Sequence, residues 1–95
     1  MAAYLIVYAR VSDPAPFADY VTAVQPVIAA HGGRLVARAA PPVVLEGEWP
    51  FATVGLLEFP SAEAAQGFWD SPEYGEVKKL RAGAADFQVV IAPGI

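Results

Sequence analysis

The chain has no cysteine and no asparagine, one histidine, and only six lysines and arginines in 95 residues. Without cysteine there is no disulfide, no thiolate nucleophile and no thiolate metal site. A single histidine without cysteine gives no ligand set for a protein-only zinc centre, and no cofactor is expected. Six basic residues against ten acidic ones leave a formal net charge of −4. Phosphate backbones demand a concentrated basic footprint, so a nucleic-acid partner is not expected. No apolar run approaches the ~18 residues of a membrane span. A Gly-rich phosphate loop, a G-x-S-x-G elbow and a convincingly spaced carboxylate pair are all missing. Met1-Ala2-Ala3-Tyr4 lacks the basic region of a signal peptide, so a cytoplasmic location is expected.

What the chain does have is apolar material: 56 % of residues are hydrophobic and 17 % are charged, against roughly 25 % charged in an average soluble domain. Such a composition excludes disorder, and the length suits one domain over residues 1–95. A domain this small buries only about 60–65 % of its unfolded surface. Apolar surface is therefore left over, and a surplus of that kind marks an interface. A homodimer with two-fold symmetry is the simplest expectation.

Periodicity divides the chain into strands and helices. Residues 3–11 are short, aromatic and β-branched, hence a strand. One of its faces carries Leu5, Val7, Ala9 and Val11, the other Tyr4, Ile6, Tyr8 and Arg10. Asp13-Pro14 opens a helix with an N-cap residue and a first-turn proline. Its stripe is Phe17, Tyr20, Val21, Val24, Val27 and Ile28, and Pro26 is expected to kink or split it. Gly32-Gly33 ends it. Arg34–Ala39 reads as a second strand with Arg34, Val36 and Arg38 on one face, interrupted at Pro41-Pro42 and resumed at Val43-Val44-Leu45. Prolines there suit an edge strand or a bulge. Thr53–Phe59 is a third strand with Val54, Leu56 and Glu58 sharing a face. Ser61 caps a helix with the stripe Ala64, Ala65, Phe68 and Trp69, and Ser71-Pro72-Glu73 starts another with Tyr74, Val77 and Leu80 inward. Lys78-Lys79-Arg81 is its basic last turn, Gly83 stops it, and Asp86–Ala92 is the last strand. The order β-α-β-β-α-β is the ferredoxin-like split unit, an α+β sandwich with an antiparallel sheet and helices on one face. The aromatic second face of the first strand suits sheet-to-sheet dimerisation.

The run His31-Gly32-Gly33-Arg34-Leu35-Val36-Ala37-Arg38, then Val44-Leu45-Glu46-Gly47-Glu48-Trp49-Pro50, Leu57-Glu58-Phe59-Pro60-Ser61 and Ser71-Pro72-Glu73-Tyr74, resembles the domain-of-unknown-function family 1330 (DUF1330). That family is similar to the dimeric α+β barrels, a superfamily that includes cofactor-free monooxygenases, lactone isomerases and haem-handling proteins. The resemblance spans nearly the whole chain and implies a fold and a dimer rather than a reaction. The sequence departs from the pattern in three places: Ala39-Ala40 stand for a glycine pair, Ala52-Thr53 for a position that is commonly basic, and Phe68-Trp69 for a Trp-Tyr pair.

Six residues are candidates for a ligand site: Tyr8, Arg10, His31, Arg38, Trp49 and Glu58. His31 offers a base that titrates near neutrality, or simply a favourable charge at the end of a helix. Glu58 lies in an otherwise apolar strand and needs a partner there. Arg38 or Arg10 is the expected one, either as a structural ion pair or as half of an anion- or carbonyl-binding site. Trp49, Trp69 and Tyr74 would wall an aromatic pocket or fill a core. No set of residues forms a catalytic constellation. The preferred reading is a homodimeric small-molecule-binding protein. The alternative is a cofactor-free oxygenase or isomerase acting on a small aromatic or carbonyl compound.

Overall fold

A computed structural model describes the whole chain, Met1–Ile95. In chain order the elements are β1 (Ala3–Val11), α1 (Pro14–Ala30), β2 (Arg34–Ala39), β3 (Thr53–Phe59), α2 (Ala62–Asp70), α3 (Pro72–Lys78) and β4 (Ala85–Pro93), with a 3₁₀ turn at Lys79–Arg81 after α3. The four strands form one sheet in the order β2-β3-β1-β4, with all neighbours antiparallel. This is the α+β ferredoxin-like arrangement expected from the order of elements. Leu5, Leu57 and Phe59 meet Tyr20, Val24 and Ile28 of α1, Phe68 of α2 and Tyr74 of α3 in one core cluster, so the helices cover a single face. No helix is long and apolar enough to cross a membrane.

Local chemistry explains most of the element ends. Asp13 sits in the N-cap position, but its side chain makes no capping bond. The backbone N–H groups of Ser12 and Asp13 instead donate to the Ala84 carbonyl, at 2.8 and 3.0 Å. Pro26 does not split α1, which runs through it. Thr22 and Pro26 both lie on the exposed side, so the carbonyl deprived of its donor faces water. Gly32 closes the helix with φ +78°, while Gly33 is packed so tightly that a Cβ there would fall 2.5 Å from the Phe59 ring. Ser71 joins α2 to α3: its hydroxyl donates to the Phe68 carbonyl at 2.8 Å and accepts from the Tyr74 N–H at 3.1 Å.

Two expectations about β2 are corrected. The pairing Arg34–Glu58 and Leu35–Leu57 gives way to Ala37–Leu56 and Arg38–Gly55, so Val36 is the extra residue of a β-bulge. A bulged residue breaks the strict alternation of faces. Arg34 therefore faces the same side as Glu58, while Arg38 shares the helix-covered side with Gly55 and Leu57. Strand pairing also does not resume at Val43-Val44-Leu45, where Val43 and Leu45 are 88 % and 93 % exposed. The prolines before them carry no N–H with which to continue a ladder.

A third correction concerns the end of α3. Leu80 is exposed and Arg81 is buried, the reverse of the expected pattern. The chain tightens into the 3₁₀ turn after Lys78, and this aligns side chains three residues apart.

Candidate functional site

Helix α2 lies directly on β1, β3 and β4, whereas the backbone of α1 stands off the sheet and is braced chiefly by α3 and the 3₁₀ turn. Between α1 and the sheet is a solvent-open cavity of about 100 Å³. Of its 20 lining residues 16 are hydrophobic, which favours an apolar guest held by a few placed polar groups. Gly55 contributes to the space. It faces Val7, and a Cβ at 55 would come within 3.9 Å of the valine Cβ.

The polar groups at the wall are distinctive. The hydroxyls of Tyr20 and Tyr74, both buried, lie 3.0 Å apart. Behind them, Nη2 of Arg81 donates to the Tyr74 hydroxyl at 3.2 Å. Arg81 is only 8 % exposed and pairs with no carboxylate. Its charge rests on ring faces, with the guanidinium carbon 3.9 Å from the Phe87 centroid and 5.5 Å from that of Tyr20. Its Nε has no partner at all. Because a guanidinium only donates, the Tyr74 oxygen must accept from it. Either tyrosine can donate to the other, and when Tyr74 is the donor the Tyr20 proton points into the cavity wall unclaimed. Burial foremost, and then the neighbouring Tyr74, push the Tyr20 phenol above its ordinary range, so it stays protonated.

The six sequence candidates separate into four places. Tyr8 and Trp49 meet edge to face at 4.8 Å on the helix-free side of the sheet. Phe51 joins them, 5.6 Å from Tyr8 and 5.8 Å from Trp49, and the guanidinium of Arg10 lies 5.3 Å from the Phe51 centroid. Glu58 is on that side too, but its partner is neither Arg38 nor Arg10. Arg34 donates to it through Nη2 at 2.9 Å and Nε at 3.1 Å, and Tyr4 donates at 3.2 Å. The Arg34 hydrogen bonds hold the Glu58 carboxyl below the usual carboxylate range. His31 is the C-cap of α1 with its ring 6.0 Å from Phe68, away from the cavity lining. Arg38 alone reaches the cavity.

Sequence reasoning missed the Tyr20–Tyr74–Arg81 group. Its signal was a pair of tyrosines inside apolar stripes, since a buried phenol needs a partner. Of the expected aromatic wall, Trp69 and Tyr74 line the cavity, 5.0 Å apart, while Trp49 lies across the sheet. No group of three or more metal-ligating side chains comes together.

Residues 2–95 match the family model described as Domain of unknown function (DUF1330). The chain belongs to that family. A protein of unknown function from Rhodopseudomonas palustris is similar to this DUF1330 chain, with 21 % identity and a TM-score of 0.80 over 99 % of this chain and 82 % of the other. SnoaB, a cofactor-independent oxygenase from Streptomyces nogalater, is similar at 12 % identity and a TM-score of 0.71, over 99 % and 93 % of the two chains. A dimeric ferredoxin-like protein of unknown function from Thermobifida fusca has 16 % identity and a TM-score of 0.65, over 99 % and 92 %. No curated protein matches the sequence. Likenesses at these identities establish the fold.

Proposed function

We propose that this DUF1330 protein is a homodimer that binds a small, largely apolar organic molecule in the cavity between α1 and the sheet. The observation that carries the reading is the buried Tyr20–Tyr74 hydroxyl pair, backed by an unpaired Arg81 and set in a largely apolar wall. A buried cation without a counter-ion is costly for a purely structural element. It is well placed to polarise a hydroxyl offered to a guest.

The alternative, a cofactor-free oxygenase or isomerase, draws on the likeness to SnoaB. Such chemistry starts by taking a proton from the substrate, which requires a base in reach. The polar lining consists of Tyr20, Gln25, Arg38, Thr53 and Tyr74, and Tyr20 is held in its protonated form. Binding is the reading this lining favours.

Trp69 reports directly, because it lines the cavity and Trp49 is the only other tryptophan. In a Trp49→Phe protein, phenol should change Trp69 fluorescence saturably. Val24→Phe, which fills the cavity from α1, should abolish the change while leaving the protein folded. A linear, unsaturating response in both proteins would refute the cavity as a binding site.

A further inference from the structure

We propose that the natural guest of this cavity is a small organic monoanion, a carboxylate on a single ring or short chain, with its carboxylate held by Arg38 at the mouth. The inference rests on the cavity reading above and adds the chemical class of the ligand. Arg38 is the only charged residue in the lining, and no carboxylate contributes to it. In a chain with ten acidic and six basic residues, the cavity thus has the opposite sign to the molecule.

Arg38 is also uncommitted. The two ion pairs of the protein are Arg34–Glu58 and Lys79–Glu76. The bulge at Val36 sends Arg38 to the helix-covered side, opposite a glycine that offers no side chain to pack against. A guanidinium in that position can grip a carboxylate in the plane of its fork. Because Arg38 is exposed, the bound anion stays partly hydrated at the mouth and avoids the cost of burying a charge. Its apolar body extends inward towards the tyrosine pair. The volume sets an upper limit on size, since an enclosed apolar cavity of roughly 150 Å³ holds one benzene. At about 100 Å³ with an open side, the site takes one ring, with its substituent in the opening.

Calorimetric titration of the intact protein at neutral pH with benzoate, benzyl alcohol and benzylamine tests this, since the three share a ring and differ in charge. Benzoate should bind about tenfold more tightly than benzyl alcohol, with benzylamine weakest. Arg38→Gln should remove the preference for benzoate and leave benzyl alcohol binding unchanged, and Arg38→Lys should keep part of the preference. Arg34→Gln removes the same charge from the other side of the sheet and should leave the preference intact. Equal binding of benzoate and benzyl alcohol, or equal effects of the Arg34 and Arg38 changes, would overturn the anion assignment while leaving the cavity a binding site. Failure of all three probes would overturn both readings.

Discussion

Arg81 is the residue whose environment departs most from its chemistry. Its stem and guanidinium fill space against Phe87 and Tyr20, and its one hydrogen bond goes to Tyr74. Truncation to alanine removes that packing and leaves Tyr74 without its donor, so Arg81→Ala should cost about 2–4 kcal/mol in urea unfolding. Arg81→Met keeps the stem and removes a charge that burial penalises, so it should cost clearly less. Equal losses in the two variants would mean that the charge itself is needed for stability. Glu58 behaves in the opposite way, because its carboxyl is lowered by the Arg34 hydrogen bonds. The folded state then binds the Glu58 proton less readily than the unfolded state. Its contribution is complete above the ordinary glutamate range and is lost as pH falls through the depressed native value. Thermal unfolding across the acid range should show Glu58→Gln less stable than the wild type near neutrality and converging with it in acid. Arg34→Gln should erase most of that pH-dependent difference, and Arg38→Gln should not.

Among the elements, β2 carries the most consequence for its length. Its bulge decides which arginine meets Glu58 and which meets the cavity. Deleting Val36 should leave Leu35 opposite Leu57 and Ala37 opposite Leu56, so the shortened strand still sends Arg38 inward. The deletion variant should therefore fold, lose only a few degrees in melting temperature, and retain any Arg38-dependent binding. Loss of that dependence in a folded deletion variant would place Arg38 on the other face. The strand shows why the fold could be read from the residues and the site only in part. The four strands and three helices, the Ser61 and Ser71 caps and the Gly32-Gly33 stop follow from local preferences, and each lies where the pattern puts it. A bulge is a choice made between two strands, and nothing in Arg34–Ala39 alone marks Val36 as the residue left out of the ladder. The same holds after α3, where Leu80 and Arg81 both satisfy helical spacing, and the 3₁₀ turn with the contacts to Phe87, Tyr20 and Tyr74 selects the arginine. Tyr8 meets Trp49, and Arg10 meets Phe51, on the side of the sheet away from the cavity.

For the molecule as a whole, an exposed apolar surface lies on the helix-free face of the sheet. Only 14 of 95 residues are buried, so much of the apolar surplus remains outside. Ile6 is paired with both Leu56 and Val90 on that face, and Val90 is 54 % exposed. A second copy laid against it would cover these side chains together with the Tyr8–Trp49–Phe51 cluster. Light scattering of dilute protein should give about twice the 10.0 kDa chain mass. Val90→Arg should shift it towards the monomer without unfolding. A wild-type monomer at micromolar concentration would refute the dimer. The opposite face has a different sensitivity, which follows from the contact of Gly33 with Phe59. Phe59 packs at a tilt against Phe68, with centroids 5.3 Å apart, and Phe68 likewise against Tyr74 at 4.7 Å. Close-packed rings pass displacement on rather than absorbing it. A methyl group added where α1 turns into β2 would thus press through three rings to the hydroxyl pair at the cavity wall. Gly33 lines nothing itself, yet the absence of a side chain at this corner is what lets the three rings keep their places behind that wall.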